Sequence, residues 1–555
     1  MKKLVECVPN FSEGRDPAVI AAIADSIRSV AQVSLLDVDA GADTNRTIYT
    51  FVGEPEPVLE AAFRALKVAS ERIDMAKHRG AHPRMGAADV TPFVPVSGAT
   101  MDDCVALARR LGERVGRELK VPVYLYEAAA SSPERRNLAD VRSGEYEGLA
   151  SKITDAKWKP DFGPAAFHPR SGAFIIGARQ FLIAYNVNLN TRSVPLANEI
   201  AFSIRELGRL KRDAAGEKVV DAQGNGVYVP GRLKAVKAVG WEIPAYGRAQ
   251  VSINLTDFHV TPPHVVMEAA REEAARLGLV VTGSELIGLI PREALLDAGR
   301  FYLRKQGRSC GVPERELYHT AILSLGLAEL APFDVTKKVV ELAAMKEKTV
   351  NKLVDRTVRD FVDECSMDSP VPGGGSVAAL CAAQGAALAC MVANLTVGKK
   401  SYEKVWEEMK TVAEKAQALK DVFLDLIDRD SDSFAKVTEA WRLPKATPEQ
   451  AAARTRAIEE ATKGAALVPL ELMKKVPEAM ELALSCATKG NKNSASDAGV
   501  AGSSLRAASE GAWLNVRINL TSLSDKDFVA RTDAEGRALL KAAQDGAAKV
   551  AAAMG

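Results

Sequence analysis

Two histidines in a short loop are the first side chains whose type and spacing could do chemistry. His78 and His82 are four residues apart, which would suit a metal ion if the segment were a helix. Gly80 lies between them and Pro83 follows, so a regular helix is not expected, and the chain has no H-E-x-x-H motif. A single histidine acting as a base or an acid fits better, because histidine titrates near neutrality. The alternative is a loop histidine bonded to a backbone carbonyl.

An aspartate inside a predicted helix is the second candidate. Two rows of residues spaced by seven predict a helix face turned toward a core: Met409, Ala416, Phe423, Asp430 and Val437, and beside them Val412, Leu419, Leu426, Ser433 and Ala440. Asp428 and Asp432 fall on the opposite, solvated face. A carboxyl group held in a core has a raised pKa and is a candidate for catalysis. The alternative is that the run DRDSDS breaks the helix and exposes all three aspartates.

A Gly- and Pro-rich loop at residues 161–179 leads into a predicted strand. Its backbone amides and carbonyls would suit a planar ring with many donors and acceptors. Such loops are also common as plain connections.

Two further segments have the composition of ligand-binding turns. A glycine turn precedes a helix whose N-terminal amides favour an anion, and it consists of Gly373, Gly374, Gly375 and Ser376. A polar cluster at 490–502 contains Asn491 and Asp497. This cluster is either the wall of a site or a helix cap. The glycine turn is either a binding turn or a tight connection.

The predicted elements place these residues in two kinds of domain. Strand and helix signals follow the order βαββαβ in residues 1–180, and a similar order returns in 181–330. From about residue 336 the chain is helical with almost no strand signal. We therefore predict a multidomain α/β plus all-α protein, with two βαββαβ sandwich subdomains, a linker at 331–352 and an all-helical domain at 353–555.

Composition narrows the class of protein. The net charge of +2 over 555 residues argues against a nucleic-acid partner. Seven cysteines without a C-x-x-C pair, and no apolar segment of signal-peptide length at the N-terminus, predict a reducing cytoplasm. Residues 369–398 carry no charge and could span a bilayer by length. Their Ala, Gly and Ser content, with Gln384 and Asn394, instead favours a helix buried on all sides in a bundle, so no membrane is expected.

Taken together, the motifs resemble the formimidoyltransferase-cyclodeaminase family, bifunctional enzymes of histidine degradation. The N-terminal motifs are ECVPNFSEGRD, LDVDAGADTNRT, HPRMGAADVTPFVPV, VPVYLYE and DFGPAAFHPRSGAFIIGARQFLIAYNVNL. The C-terminal motifs are RLPKATPEQ, SPVPGGGSVAA, DRDSDSF and GNKNSASDAGVA. The resemblance covers nearly the whole chain.

The resemblance implies residue roles and substrates. His82 would be the acid/base of the transferase and Asp430 the catalytic aspartate of the cyclodeaminase. The folate-binding loop would be Gly163, Pro164, Ala165, Ala166, Phe167, His168, Pro169, Arg170, Ser171 and Gly172. N-formimino-L-glutamate and tetrahydrofolate with a polyglutamate tail would be the substrates, without a metal. The protein would be a homo-oligomer built from dimers.

Other residues take more speculative roles within this resemblance. Asp39, at the end of a predicted strand, would orient His82 or hold the cationic formimino group. The glycine turn and the cluster from Asn491 to Asp497 would hold folate beside Asp430. Residues 213–231 depart from the family pattern as a predicted hairpin, with EKVVD and VYV joined by GNG.

Two alternatives remain open on the sequence. The same folds would serve a folate enzyme acting on 5-formyl- or methenyltetrahydrofolate. They would also serve a non-catalytic folate-binding scaffold, which predicts binding without turnover.

Overall fold

The computed structural model describes residues 3–42, 44–80, 82–243, 246–345 and 352–554. Part of the predicted linker, residues 346–351, lies outside the described residues. The chain forms two compact units. The first comprises Met1–Ala298 with Ala321–Thr349, and the second comprises Gly299–Thr320 with Val350–Gly555.

The first half of the α/β unit builds a seven-stranded sheet. Its elements are β1 (Leu4–Cys7), β2 (Asn10–Phe11), α1 (Pro17–Arg28), β3 (Val33–Gly41), β4 (Arg46–Gly53), α2 (Pro55–Arg72), β5 (Ala88–Ser97), α3 (Met101–Glu118), β6 (Val123–Glu127), α4 (Leu138–Arg142), α5 (Glu145–Lys152) and β7 (Phe174–Ala178). β1 and β2 both lie between β4 and β5, β3 is outside β4, and β7 and β6 extend the other edge in parallel to β5. An apolar core separates this sheet from α1, α2 and α3.

Local sequence signals set the helix starts. Asp16 caps α1 by accepting a hydrogen bond from the Ala18 amide, and Pro17 occupies the first helical position. α2 begins at Pro55, because a proline is well accommodated in the first turn of a helix.

The second half repeats the βαββαβ order. Its elements are β8 (Ile183–Leu189), α6 (Val194–Ile204), β9 (Arg209–Leu210), β10 (Tyr228–Val229), β11 (Val236–Ile243), β12 (Arg248–Leu255), α7 (Pro263–Arg276) and β13 (Val281–Ile287). The antiparallel sheet has the order β11–β12–β8–β13. The same order holds for β3–β4–β1–β5, so the prediction of two subdomains of one architecture is confirmed.

The departing segment at 213–231 forms the predicted hairpin turn, because the Asp221 amide donates to the Asn225 carbonyl at 2.8 Å and the Val227 amide donates to the Val219 carbonyl at 2.9 Å. Beyond Val227 the pairing differs from the prediction. The strand Tyr228–Val229 pairs with Arg209–Leu210, which precede the segment. Val220 is joined to Gly226 by one isolated bridge. β9 and β10 thus form a two-stranded sheet of their own, separate from the four-stranded sheet.

The remaining described elements are helical. They are α8 (Arg292–Lys305), α9 (Glu314–Leu325), α10 (Val335–Lys338), α11 (Val340–Met345), α12 (Val358–Cys365), α13 (Gly374–Thr396), α14 (Trp406–Trp441), α15 (Pro448–Lys489), α16 (Ala495–Leu520) and α17 (Lys526–Ala553). Small residues let α13 to α17 pack closely around one core.

Residues 299–320 belong to the helical unit, although the sequence analysis placed them before the linker. The Gly311 carbonyl accepts hydrogen bonds from Asn394 Nδ2 at 2.7 Å and from Cys390 Sγ at 3.2 Å. A Cβ at Gly311 would lie 2.6 Å from that of Ala413, so glycine permits this contact. The contact depends on tertiary structure, which explains why periodicity did not reveal it.

The uncharged helix α13 is long and apolar enough to cross a membrane by composition, but 61% of its most apolar window is buried inside the protein. Its Ala and Gly side pairs with α14 and α16. The prediction of a bundle helix is confirmed, whereas burial on all sides is wrong. Val377, Met391 and Leu395 are between 37% and 44% exposed.

Helix α14 runs without a break through DRDSDS. The alternative in which this run ends the helix is therefore wrong. The predicted stripe is mostly buried, from Met409 through Phe423 to Ala440. Asp432 is exposed as predicted, but Asp428 is half-buried and accepts a hydrogen bond from the Leu353 amide at 2.7 Å.

Candidate active sites

His82 lies in the loop between α2 and β5, and its backbone surroundings set its tautomer. The ring is half-buried, and Nδ1 is 2.6 Å from the Pro83 carbonyl oxygen. A carbonyl can only accept, so Nδ1 carries the proton and Nε2 keeps its lone pair. The bond to a backbone carbonyl, which was the alternative to a catalytic role, thus leaves Nε2 able to act as a base.

The charges around His82 favour its neutral form. Burial lowers the pKa of His82 below its usual value, and the nearby charge of Arg46 lowers it further, whereas the bond to Pro83 opposes the shift. Arg46 Nη1 is 3.3 Å from His82 Nδ1. At neutral pH the ring is therefore able to accept a proton.

Arg46 is held in place by a buried ionic cluster. Asp89 is fully buried and is ion-paired to Arg46 Nη1 and to Arg142 Nη2. Burial alone would raise the pKa of Asp89, but the two arginines hold it below its usual value. The strand β4 brings Arg46, β5 brings Asp89, and α4 brings Arg142 to one place.

His78 takes no part in this arrangement. Its Nε2 is 2.9 Å from the Asn45 carbonyl, and its Nδ1 accepts a hydrogen bond from Arg84 Nε at 3.2 Å. Both nitrogens are engaged, so His78 is a structural residue of the loop. Among the described residues, no group of three or more His, Cys, Asp or Glu side chains is arranged to hold a metal ion.

The loop at 163–172 returns to the segment that carries His82. Gly172 forms a bridge with Gly86, and the Ala87 amide donates to the Ser171 carbonyl at 2.9 Å. Gly172 has a φ of 66°, and a Cβ there would lie 2.9 Å from the Gly86 Cα, so glycine is required. The backbone therefore places the end of the predicted folate loop next to the His82 segment.

The exposed part of the loop is anchored at several points. Pro164, Ala165 and Ala166 are exposed, while Tyr146 Oη donates to the Pro169 carbonyl at 2.5 Å. The Phe167 ring also contacts Tyr146, with ring centroids 5.4 Å apart. His168 is used internally, because its Nδ1 accepts from the Ser171 amide at 3.0 Å, and Arg170 donates to the Glu71 carbonyl.

Asp39 is exposed on β3, and its side chain makes no hydrogen bond or ion pair within the described ranges. It lies opposite Ile48, and Gly41 lies opposite Arg46, so Asp39 and Arg46 are on the same face of the sheet. The structure brings Asp39 into this region but does not bond it to His82. The neighbour of His82 is Arg46.

In the helical unit, Asp430 on α14 faces the first turn of α13. Ser376 Oγ is 3.2 Å from Asp430 Oδ2 and 2.9 Å from the Ile427 carbonyl. Burial raises the pKa of Asp430 above its usual value, and hydrogen bonds from Ser376 oppose the shift. The carboxyl group is therefore a candidate proton donor.

Gly375 makes room for this carboxyl group. A Cβ at residue 375 would lie 2.6 Å from Asp430 Oδ2 and closer still to Oδ1. Gly374 faces α16 instead, where its Cβ position is 3.1 Å from Asn515 Nδ2. Gly373 is the N-cap of α13. The predicted glycine turn and Asp430 thus meet in one site, to which Asn515 belongs.

Asn491 and Asp497 lie elsewhere. The Asn491 amide donates to Thr396 Oγ1 at 2.8 Å, at the C-terminal end of α13. Twenty residues of helix separate Thr396 from Ser376, which is about 30 Å. Asn491 acts as a cap, since its Oδ1 accepts from the Asn493 amide, and Asp497 follows in the first turn of α16. Within one chain this cluster does not line the Asp430 site, contrary to the sequence-based expectation.

Family models cover both units. "Formiminotransferase domain, N-terminal subdomain" matches residues 4–179, "Formiminotransferase domain" matches 184–345, and "Formiminotransferase-cyclodeaminase" matches 357–538. The formimidoyltransferase-cyclodeaminase of Mus musculus is 44% identical over 550 residues, which is 99% of this chain and 98% of the mouse protein. The chain belongs to the formimidoyltransferase-cyclodeaminase family. It is therefore a bifunctional enzyme with a transferase activity and a deaminating cyclisation activity.

Shorter proteins match parts of the chain. The glutamate formimidoyltransferase of Thermoplasma acidophilum is 45% identical over 321 residues, covering 57% of this chain and 98% of that protein. The methenyltetrahydrofolate cyclohydrolase of Methylorubrum extorquens is 43% identical over 174 residues, covering 31% of this chain and 84% of that protein. A glutamate formimidoyltransferase and a methenyltetrahydrofolate cyclohydrolase thus each resemble a portion of the chain.

Three residues near the candidate sites were missed by sequence reasoning. Arg46 stands in the quoted motif LDVDAGADTNRT, but only the sheet shows that it reaches His82. Arg142 and Asn515 were in no predicted site, and no spacing pattern links them to Asp89 or Gly374. Their placement results from contacts between elements distant in sequence.

Proposed function

We propose that His82 catalyses transfer of the formimino group from N-formimino-L-glutamate to tetrahydrofolate. His82 Nε2 removes the proton of the folate nitrogen as that nitrogen attacks the amidine carbon. The same nitrogen then returns the proton to the departing glutamate amine. The observation that supports this role is the Nδ1 bond to the Pro83 carbonyl, which leaves Nε2 free in a neutral ring.

In this proposal the loop at 163–172 binds folate. Its exposed residues Pro164 to Ala166 adjoin a segment tied back to the His82 loop through Gly172 and Gly86. Asp39, on the face of Arg46, is available to hold the cationic formimino group. No hydrogen bond of its own needs to break for that role.

We propose that Asp430 completes the second reaction. The neighbouring folate N–H attacks the formimino carbon and its proton passes to the formimino nitrogen. Asp430 donates a second proton to that nitrogen, which then leaves as ammonia. The product is 5,10-methenyltetrahydrofolate. Burial, which keeps the carboxyl protonated to a higher pH, supports this role. Gly373 to Ser376 and Asn515 would contact the folate.

The test separates the two reactions. His82→Ala should lower transfer by roughly 100-fold or more, because acid–base catalysis contributes about that much. It should leave cyclisation of supplied 5-formiminotetrahydrofolate intact, as measured by methenyl absorbance. Asp430→Asn should do the reverse. Wild-type transfer in the first variant, or wild-type cyclisation in the second, would refute the corresponding role.

A fold control accompanies the Asp430 variant. Burial raises the pKa of Asp430, so the fold favours the protonated carboxyl group over the charged carboxylate. The stability that the protonated group contributes is therefore lost as pH rises through that pKa. Asp430→Asn should therefore melt at the wild-type temperature or above at neutral pH. Lost cyclisation with a lower melting temperature would point to unfolding instead.

The similarity to a methenyltetrahydrofolate cyclohydrolase favours one second candidate. A chain of that activity would hydrolyse 5,10-methenyltetrahydrofolate without releasing ammonia. Ammonia formed in step with methenyl absorbance from 5-formiminotetrahydrofolate distinguishes the two.

The proposal extends to the setting of the reaction. We propose that the enzyme serves histidine degradation in the cytoplasm, uses polyglutamylated tetrahydrofolate, and acts as a homo-oligomer built from dimers. The family resemblance supports these points, and the free thiols of the described cysteines fit a reducing compartment.

A further inference from the structure

Beside His82 lies a cluster of two arginines and one aspartate that the proton-transfer steps do not use. The side chain of Asp89 is fully buried, and those of Arg46 and Arg142 are 10% and 15% exposed. One carboxylate faces two guanidinium groups, so the cluster carries a net charge of +1. This excess positive charge beside His82 attracts anions.

The carboxylate of Asp89 has no further capacity for hydrogen bonds. It accepts from Arg46 Nη1, from Arg142 Nε at 3.1 Å and Nη2 at 2.5 Å, and from the Met85 amide at 3.2 Å. Nη2 of Arg46 and Nη1 of Arg142 make no hydrogen bond in the described part of the chain. Each arginine therefore keeps one donor group for a ligand.

Two other buried arginines of the same unit show what a purely structural arrangement looks like. Arg84 binds the carboxylates of both Glu145 and Glu147. Arg135 binds Asp161 and the carbonyls of Lys157 and Lys159. Each of these two arginines has at least one carboxylate of its own, whereas Arg46 and Arg142 share a single carboxylate.

We infer that Arg46 and Arg142 form a carboxylate-binding subsite that holds a carboxylate of the formimino donor next to His82. The inference rests on the proposed transferase function. N-formimino-L-glutamate carries two carboxylates, and a guanidinium group binds a carboxylate with directional, charge-assisted hydrogen bonds. Because Arg46 Nη1 is 3.3 Å from the His82 ring, a carboxylate bound here would bring the amidine of the same molecule near Nε2.

A folate tail also carries carboxylates, so the test must separate the two sources. We would measure KM for N-formimino-L-glutamate and for tetrahydrofolate in Arg142→Gln. Loss of a charge-assisted bond predicts a rise of roughly ten-fold or more in KM for the donor, with KM for tetrahydrofolate nearly unchanged. A rise confined to tetrahydrofolate would overturn the assignment.

Amide analogues of the donor make the test specific for charge. In these analogues one carboxylate at a time is replaced by a carboxamide. The wild-type enzyme should use one of the two analogues at least roughly ten-fold less efficiently than the acid, and Arg142→Gln should lose most of this preference. Equal use of the acid and both amides by the wild-type enzyme would overturn the inference without any variant.

Arg135→Gln is the matched control, because it removes a buried arginine paired to Asp161. It should lower the melting temperature but keep the acid-over-amide preference. Arg142→Lys, which keeps the charge, should restore part of that preference. If the wild-type enzyme transfers no formimino group at all, the proposed function fails; if it is active and Arg142→Gln keeps full preference, only the subsite fails.

Discussion

His82 and Asp430 are adjusted toward different protonation states by their surroundings. His82 is kept neutral by burial and by the positive charge of Arg46, so it can take a proton. Asp430 is kept protonated to a higher pH by burial, so it can give one. A base and an acid are the two groups that transfer followed by loss of ammonia requires.

Ser376 sets the balance at Asp430. Its hydrogen bond lowers the pKa of Asp430 against the effect of burial, so Ser376→Ala should raise that pKa further. The alkaline limb of the cyclisation pH profile should then move to higher pH. Ser433→Ala is the control, since Ser433 Oγ bonds only the Asp430 backbone carbonyl of its own helix. A limb that stays in place in Ser376→Ala would show that another group titrates.

At the scale of elements, the proposed cyclisation site depends on how closely two helices approach. The first turn of α13 lies against α14 at Asp430, and the approach is possible because residue 375 has no side chain. The DRDSDS run stays helical because neighbouring elements use its polar groups. Arg429 pairs with Glu471 on α15, and Asp428 binds the Leu353 amide.

Gly375→Ala should therefore damage cyclisation without removing any catalytic group. The new methyl would overlap the Asp430 carboxyl and displace it, so we expect a loss of roughly 100-fold in cyclisation with transfer unchanged. Gly464→Ala in α15 is the control. No atom lies within 4 Å of its Cβ position, and alanine favours the helix by about 1 kcal/mol. Equal cyclisation in both variants would contradict the proposed geometry.

At the scale of the whole molecule, each compact unit carries one of the two acid–base groups. The α/β unit holds His82, and the helical unit holds Asp430. The two activities should therefore respond separately to conditions that titrate one group.

The rate of transfer should be limited at low pH, and the rate of cyclisation should be limited at high pH. Transfer needs neutral His82, whose pKa is lowered from 6.5, so its rate should fall only as pH drops below 6.5. Cyclisation needs protonated Asp430, whose pKa is raised from 3.8, so its rate should fall as pH rises through that pKa. Assaying each reaction with its own substrate from pH 5 to pH 9 checks both signs. Parallel profiles would argue against these two groups.

Periodicity in the sequence was sufficient to select Asp430, because a seven-residue spacing reports which side chains share a helix face. It could not show that Gly375 is the residue opposite, since that depends on the register between two helices. For the same reason, the prediction that Asn491 and Asp497 lie beside Asp430 was wrong. Composition marked them as polar, but only the length of α13 shows that they lie at its other end.

The α/β unit gives a similar division. The βαββαβ order follows from alternating strand and helix signals, and it was predicted for both halves. His82 was recognisable through resemblance, yet its proximity to Arg46 was not. Arg46 comes from β4 and reaches the loop before β5 because β2, which lies between these two strands, ends at Phe11, opposite Thr47 and Ala88.

The bond between His82 Nδ1 and the Pro83 carbonyl has a consequence for genetics. Its acceptor belongs to the main chain, which every amino acid possesses, so replacing side chains one at a time would not delete it. A saturation screen for activity would then find His82 itself and miss the group that fixes its proton. An amide-to-ester exchange would weaken that acceptor, and nitrogen-15 shifts of the ring would register the change.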